Sequence, residues 1–150
     1  MRPSSTIITA MHVRLVKSFS FDAAHHLPCF PEGHKCRAMH GHTYTVDVVL
    51  EGDLRPDQHY LVDFADIKAA IDPVRRRIDH QCLNDVSGLE VPTVERIAAW
   101  LWDELARLLP MLAEIVVHES PTARCEYRGP AMAPASPGSG QRAEGRDGRL

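Results

Sequence analysis

His40, His42, Tyr44, Val46, Val48 and Leu50 occupy alternate positions along one stretch of the chain. A period of two specifies a β-strand with one buried face, where successive side chains point to opposite sides of the sheet. Both imidazoles therefore share the apolar face, roughly 6–7 Å apart at Cα, a spacing from which two rings can converge on one ion. Upstream, Val13, Leu15, Phe19 and Phe21 alternate along a predicted first strand, and the same phase continues through Ala23 to His25. Three neutral imidazoles with a fourth position open to water or substrate is the pattern of a catalytic zinc, in contrast to a closed four-ligand structural site. A second account of His25 makes it a surface loop residue beside His26, leaving only the HisGlyHis turn.

The 150 residues suit a single domain. A formal charge of −3 gives no basic footprint, so a nucleic-acid partner is not indicated. No apolar run approaches the roughly 18 residues that a membrane span needs. Met1–Ala10 lacks the charged start, apolar stretch and small-residue cleavage site of a signal peptide, so a cytoplasmic location is expected. In that reducing setting Cys29, Cys36, Cys82 and Cys125 are expected as free or metal-linked thiols, with Cys82 and Cys125 serving as small apolar residues.

Residues 1–10 read as an N-terminal extension and 11–129 as the domain. Residues 130–150, rich in Gly, Pro, Ala and Ser, read as a disordered tail. Within the domain the order is strand, loop, strand, helix, helix, strand, strand. The second strand is expected to end at Leu50 before a turn at Gly52–Asp53, with Leu61–Val62 as a short extended piece. Phe64, Ile67, Ile71, Val74 and Ile78 mark one face of a helix N-capped by Asp63, with Asp66 in its first turn. A second helix, capped by Thr93, runs from Val94 to about Leu109 before Pro110, with Trp100 and Trp102 beside its apolar stripe. Glu114–Ser120 and Ala123–Arg128 are the last strands, joined by a turn at Ser120–Pro121–Thr122. Strands at both ends with helices between them make an α+β domain on an antiparallel sheet.

Three further positions carry candidate chemistry. Cys36, flanked by Lys35 and Arg37, fits a catalytic thiolate, a fourth zinc ligand or an incidental cysteine. Asp79–His80 directly follows the first helix and fits either a proton relay or two solvated loop residues. Glu119 is in phase with Ile115 and Val117, and a carboxylate on an apolar face needs a partner. Arg124 or Arg128 could supply it, as could a ligand offering paired donors, such as the amino-pyrimidinone edge of a pterin.

Taken together, Phe21–His25, Glu32–Cys36, His40–Gly41–His42, Asp79–His80 and Pro92–Glu95 closely resemble the 6-pyruvoyltetrahydropterin synthase and 6-carboxytetrahydropterin synthase family. The likeness covers about Val13 to Gly129. The three-residue gap between Cys36 and His40 resembles the bacterial 6-carboxytetrahydropterin synthase branch of queuosine and deazapurine biosynthesis. The resemblance implies a tunnelling fold, with four antiparallel strands and two helices per subunit. Three subunits would close a barrel, two trimers would stack into a homo-hexamer, and active sites would lie at subunit interfaces. It further implies zinc on His25, His40 and His42, a catalytic thiol at Cys36 working with Asp79 and His80, and a pterin anchored by Glu119. The implied reaction converts 7,8-dihydroneopterin triphosphate to 6-carboxy-5,6,7,8-tetrahydropterin with release of acetaldehyde and triphosphate. Related alternatives are the pyruvoyl synthase, a pterin side-chain aldolase, or a zinc- or pterin-binding protein without turnover.

Overall fold

The computed structural model describes residues 9–131. Residues 1–8 and 132–150 lie outside the described residues, and with them most of the expected extension and tail.

Strands β1 (Met11–His25) and β2 (His40–Leu54) form a long antiparallel ladder that pairs Met11 with Leu54 at one end and His25 with His40 at the other. The connecting residues 26–39 hold one short 3-10 turn, Lys35–Arg37. Helix α1 (Phe64–Ile78) follows, then a two-residue strand β3 (Gln81–Cys82), helix α2 (Val94–Ala106), and strands β4 (Leu112–Ser120) and β5 (Ala123–Tyr127). The sheet order is β3-β1-β2-β4-β5.

This corrects the sheet expected from sequence. It has five strands in place of four, and it is mixed, because β3 pairs parallel to β1 at Ala23 and Ala24. So short a strand has no periodicity to read. The turn expected at Gly52–Asp53 is also absent, since β2 continues to Leu54 against Met11–Val13. Leu61–Val62 is a bend, not a strand, and α2 stops at Ala106, with Leu109 N–H still bonded to the Leu105 carbonyl as the helix unwinds.

Both caps are where the sequence places them. Asp63 Oδ1 accepts from Ala65 N–H at 2.8 Å and Thr93 Oγ1 from Arg96 N–H at 3.4 Å, satisfying N–H groups that lack helical partners. The helices cover one face of the sheet. Ile67, Ile71, Ile78, Ile97, Leu101 and Leu105 pack on Phe21, Tyr44, Val46, Val48, Ile115 and Val117. Each such side chain contributes about 1.5–3 kcal/mol on leaving water. Trp100 joins this core, 7% exposed, with its Nε1–H donated to the Ser87 carbonyl, whereas Trp102 meets the Tyr127 ring edge-on.

Among the described residues the other sheet face carries no helix, and it holds polar pairs, with Ser18 bonded to Asp47 and Thr43 to Asp22 across the β1–β2 pair. Gly129 ends the described fold at φ +93, where an added Cβ would lie 2.5 Å from Cζ2 of Trp102. Gly129→Ala is expected to lower stability by about 1–3 kcal/mol, seen as a reduced urea midpoint with an unchanged slope.

Candidate metal centre

The β1–β2 ladder closes at the His25–His40 pair, so β1 delivers His25 and β2 delivers His40 and His42 to one end of the sheet. Their ring centroids are 4.6, 5.1 and 5.0 Å apart, and one nitrogen from each lies within 4.8 Å of the other two. His25 is fully buried, which removes the surface-loop account of it.

The hydrogen bonds fix how two of these rings are protonated. His25 Nδ1 meets the Pro92 carbonyl at 2.9 Å and His40 Nδ1 meets the Ala38 carbonyl at 2.7 Å. A carbonyl only accepts, so both Nδ1 atoms carry the proton and both Nε2 atoms present lone pairs. Those two Nε2 atoms face each other at 3.0 Å, with Tyr44 Oη 3.4 Å from that of His25, an arrangement that a shared proton or a metal cation satisfies. His42 Nε2 is buried without any hydrogen-bond partner. A proton shared by His25 and His40 would leave His42 orphaned; a metal ion satisfies all three. The residues therefore fit a metal bound by three imidazoles, of which His25 and His40 are each fixed by a backbone acceptor.

Burial holds the His25 imidazole below the ordinary value of 6.5, and the neighbouring His40 and His42 add to this while the Pro92 carbonyl opposes it. A depressed histidine leaves the unfolded chain binding more protons than the fold. Stability is then complete above the ordinary value and falls as pH drops from about 6.5 toward the lower folded value. Chelator-treated protein is expected to have a lower urea midpoint near pH 5.5 than near pH 7.5.

Glu119 stands at a register shift, where Glu119 and Ser120 together oppose Ala123 of β5. Such a bulge re-aims a side chain. Its Oε1 lies 3.9 Å from His42 Nε2, and the arginine partners expected for it are engaged elsewhere. Arg124 pairs with Glu126 and Arg128 faces Glu114, so the arginine account of Glu119 is corrected.

Cys36 sits half-buried in the 3-10 turn, its N–H bonded to His34 Nδ1 and its carbonyl to Leu27 N–H. Arg37 does not reach for an anion there; its guanidinium donates to the Pro28 and Phe30 carbonyls and staples the loop. The Cys36 thiol is outside the group of mutually close donor atoms, which leaves the three imidazoles as the group that could hold a metal.

Asp79 and His80 form a second cluster with Asp22 at the outer edge of β1. Asp79 Oδ1 accepts from Asp22 N–H at 3.0 Å and meets His80 Nδ1 at 3.0 Å, while Oδ2 pairs with Arg75 at 3.1 Å. The Asp22 N–H bond, aided by Arg75 and His80, holds the Asp79 carboxyl below its ordinary range, so it stays a carboxylate beside the ring. His80 adopts φ +59, a left-handed conformation that costs a non-glycine residue about 1–3 kcal/mol. An open depression of about 590 Å³, lined by Asp22, Gly41, His42, Thr43 and His80 among others, joins this edge to the triad; neither Cys36 nor Glu119 lines it.

Residues 14–130 match the model of the 6-pyruvoyl tetrahydropterin synthase family. The chain belongs to that family. Among its relatives in the family, the 6-carboxy-5,6,7,8-tetrahydropterin synthase of Synechocystis sp. is 40% identical over 126 residues, spanning 80% of this chain and 96% of the relative. The dihydroneopterin monophosphate aldolase of Pyrococcus furiosus is 34% identical over 100 residues, 67% of this chain and 81% of the relative. The structure of Caenorhabditis elegans 6-pyruvoyl tetrahydropterin synthase matches with a TM-score of 0.72 at 25% identity, covering 80% of this chain and 97% of that one. No helix among the described residues is long and apolar enough to cross a membrane.

Sequence reasoning missed the acceptors that orient His25 and His40, the carbonyls of Pro92 and Ala38, and the part of Asp22 in the second cluster. Backbone carbonyls leave no mark in a sequence. Asp22 could have been found from its place three residues before His25, on the opposite face of β1.

Proposed function

We propose that this chain is a zinc-dependent 6-carboxytetrahydropterin synthase. It converts 7,8-dihydroneopterin triphosphate and one water to 6-carboxy-5,6,7,8-tetrahydropterin, acetaldehyde and triphosphate in queuosine or another deazapurine pathway. The observation that carries this reading is the triad of close imidazoles with the Glu119 carboxylate 3.9 Å from one of them, in a member of a pterin synthase family. The name of the Synechocystis relative and the Cys36–His40 spacing favour the carboxy branch.

His25, His40 and His42 would hold the zinc. Bound there, zinc supplies Lewis-acid polarisation of the substrate's side-chain hydroxyls. Glu119 accepts paired N–H donors from the pterin ring, which sets the side chain against the metal. Cys36, as thiolate, takes a proton from the side-chain carbon, and His80 exchanges a proton on the opposite side with Asp79 fixing its Nδ1–H tautomer. Loss of triphosphate, then addition of water across a side-chain carbon–carbon bond, which places hydroxyl on the ring-bound carbonyl and hydrogen on the departing acetaldehyde, completes the reaction.

His80 is 78% exposed at the sheet edge, on the far side of β1 from Glu119, and neither Cys36 nor Glu119 lines the depression beside it. This favours a homo-oligomer, with a hexamer of two trimers as the expected form, in which the dyad of one copy serves the metal centre of the next. Barrel closure by three copies would also cover the free edge that β1 leaves from Met11 to Asp22.

The test is incubation of zinc-loaded protein with dihydroneopterin triphosphate, followed by mass spectrometry and acetaldehyde trapping. Carboxylated pterin together with acetaldehyde is the expected result. A pyruvoyl pterin, or the product of a side-chain aldolase such as the Pyrococcus relative is named for, would replace this reading with the sister activity. Unchanged substrate beside bound zinc would replace it with a binding protein.

A further inference from the structure

We infer that Asn84 is a positioning residue for the metal centre, strapping the chain that carries His25 to the segment that fixes its ring. The inference rests on the reading of the triad as a metal site. Asn84 lies half-buried in a 3-10 turn, Leu83–Asp85, just beyond β3. Its Oδ1 accepts from His26 N–H at 3.0 Å, and its Nδ2 donates to the His26 carbonyl at 2.9 Å and the Glu90 carbonyl at 3.2 Å. Only one orientation of the amide satisfies these partners, since the flipped group would set its oxygen against two carbonyls.

The strap has a specific reach. His26 follows the buried ligand His25, and Glu90 precedes by two residues Pro92, whose carbonyl holds the His25 Nδ1 proton. Asn84 thus grips both sides of the His25–Pro92 bond. The His26 ring is not what holds this corner, because its Nδ1 is buried with no partner. The rest of the segment is anchored independently, by fully buried Leu83 and Leu89 and by the Trp100 bond to Ser87. Loss of the amide therefore loosens the corner at His25 while leaving the core in place. Once Pro92 shifts, His25 is free to change tautomer and rotate, and Nε2 is no longer fixed toward His40 and His42.

The test measures Zn²⁺ affinity of the full chain by chelator competition, together with the visible spectrum of Co²⁺ in the same site. Asn84→Asp keeps the shape but turns a carboxylate oxygen toward two carbonyls. Ile71→Val, a methylene deletion in the core face of α1, serves as a control away from the site. Asn84→Asp is expected to lose about 10- to 100-fold in Zn²⁺ affinity and to change the Co²⁺ spectrum, with Ile71→Val like the wild type. Should Asn84→Asp fail to fold, Asn84→Ala is read in the same way. Wild-type affinity and spectrum in the Asn84 variant, or an equal loss in Ile71→Val, would overturn the inference. A wild-type protein that takes up neither ion would instead overturn the metal reading beneath it.

Discussion

His42→Ala is expected to abolish the stabilisation by zinc while leaving the metal-free protein as stable as the wild type or more so. In the wild type, His42 Nε2 is buried without a partner, and His25 and His40 face each other with lone pairs at 3.0 Å. Both features cost free energy until a cation arrives, about 1–3 kcal/mol for an unsatisfied buried polar atom. Alanine removes the orphan atom and gives up the edge contact of the His42 ring with core Tyr44, about 0.5–1.5 kcal/mol, which the relief of the orphan offsets. The bound state behaves oppositely. Zinc at 100 times its dissociation constant stabilises a protein by about 2.7 kcal/mol, and a site reduced to two imidazoles should lose more affinity than the 10- to 100-fold typical of an outer partner. Thermal midpoints with and without Zn²⁺ check this directly. A metal-free His42→Ala protein markedly less stable than metal-free wild type would mean that the imidazole packs the sheet end and that the cluster is structural.

The parts of this molecule that were legible in its sequence are those where one residue's neighbours along the chain determine its surroundings. Alternation from His40 to Leu50 placed two candidate ligands on one face, and the same phase through Ala23 brought in His25. The caps Asp63 and Thr93 act on N–H groups two or three residues away, so the local pattern suffices. Illegible features arise from distant pairings. Gln81–Cys82 becomes a strand because Ala23 and Ala24 lie beside it, and β2 outruns its own apolar pattern because β1 matches it through Gly52 and Asp53. Glu119 illustrates the limit within the site. Its phase with Ile115 and Val117 indicated the correct face, but the shift of register opposite Ala123 and the engagement of Arg124 and Arg128 by other acids decide what it meets. Asn84 is more obscure still, since apart from the Cys82 thiol its partners are backbone groups of His26 and Glu90.

Cys36→Ala is expected to keep zinc and fold but to lower turnover by about 10²- to 10⁴-fold, the range for removing one proton-transfer group. The thiol lies outside the mutually close ligand atoms, and its turn is held by the Leu27, His34 and Arg37 contacts, none of which involves sulfur. Loss of zinc in this variant would instead make Cys36 a ligand. His80→Ala is expected to give a similar loss, since Asp79 is already anchored by Asp22 and Arg75 and survives the change. The two defects should complement each other. If the exposed dyad of one copy serves the thiol of the next, random co-assembly of Cys36→Ala with His80→Ala chains restores both groups at about one site in four, each neighbour being intact half the time. Recovered activity near a quarter of wild type is the expected outcome for co-expressed chains. Activity no higher than that of either variant alone would place thiol and dyad in the same copy and end the interface reading.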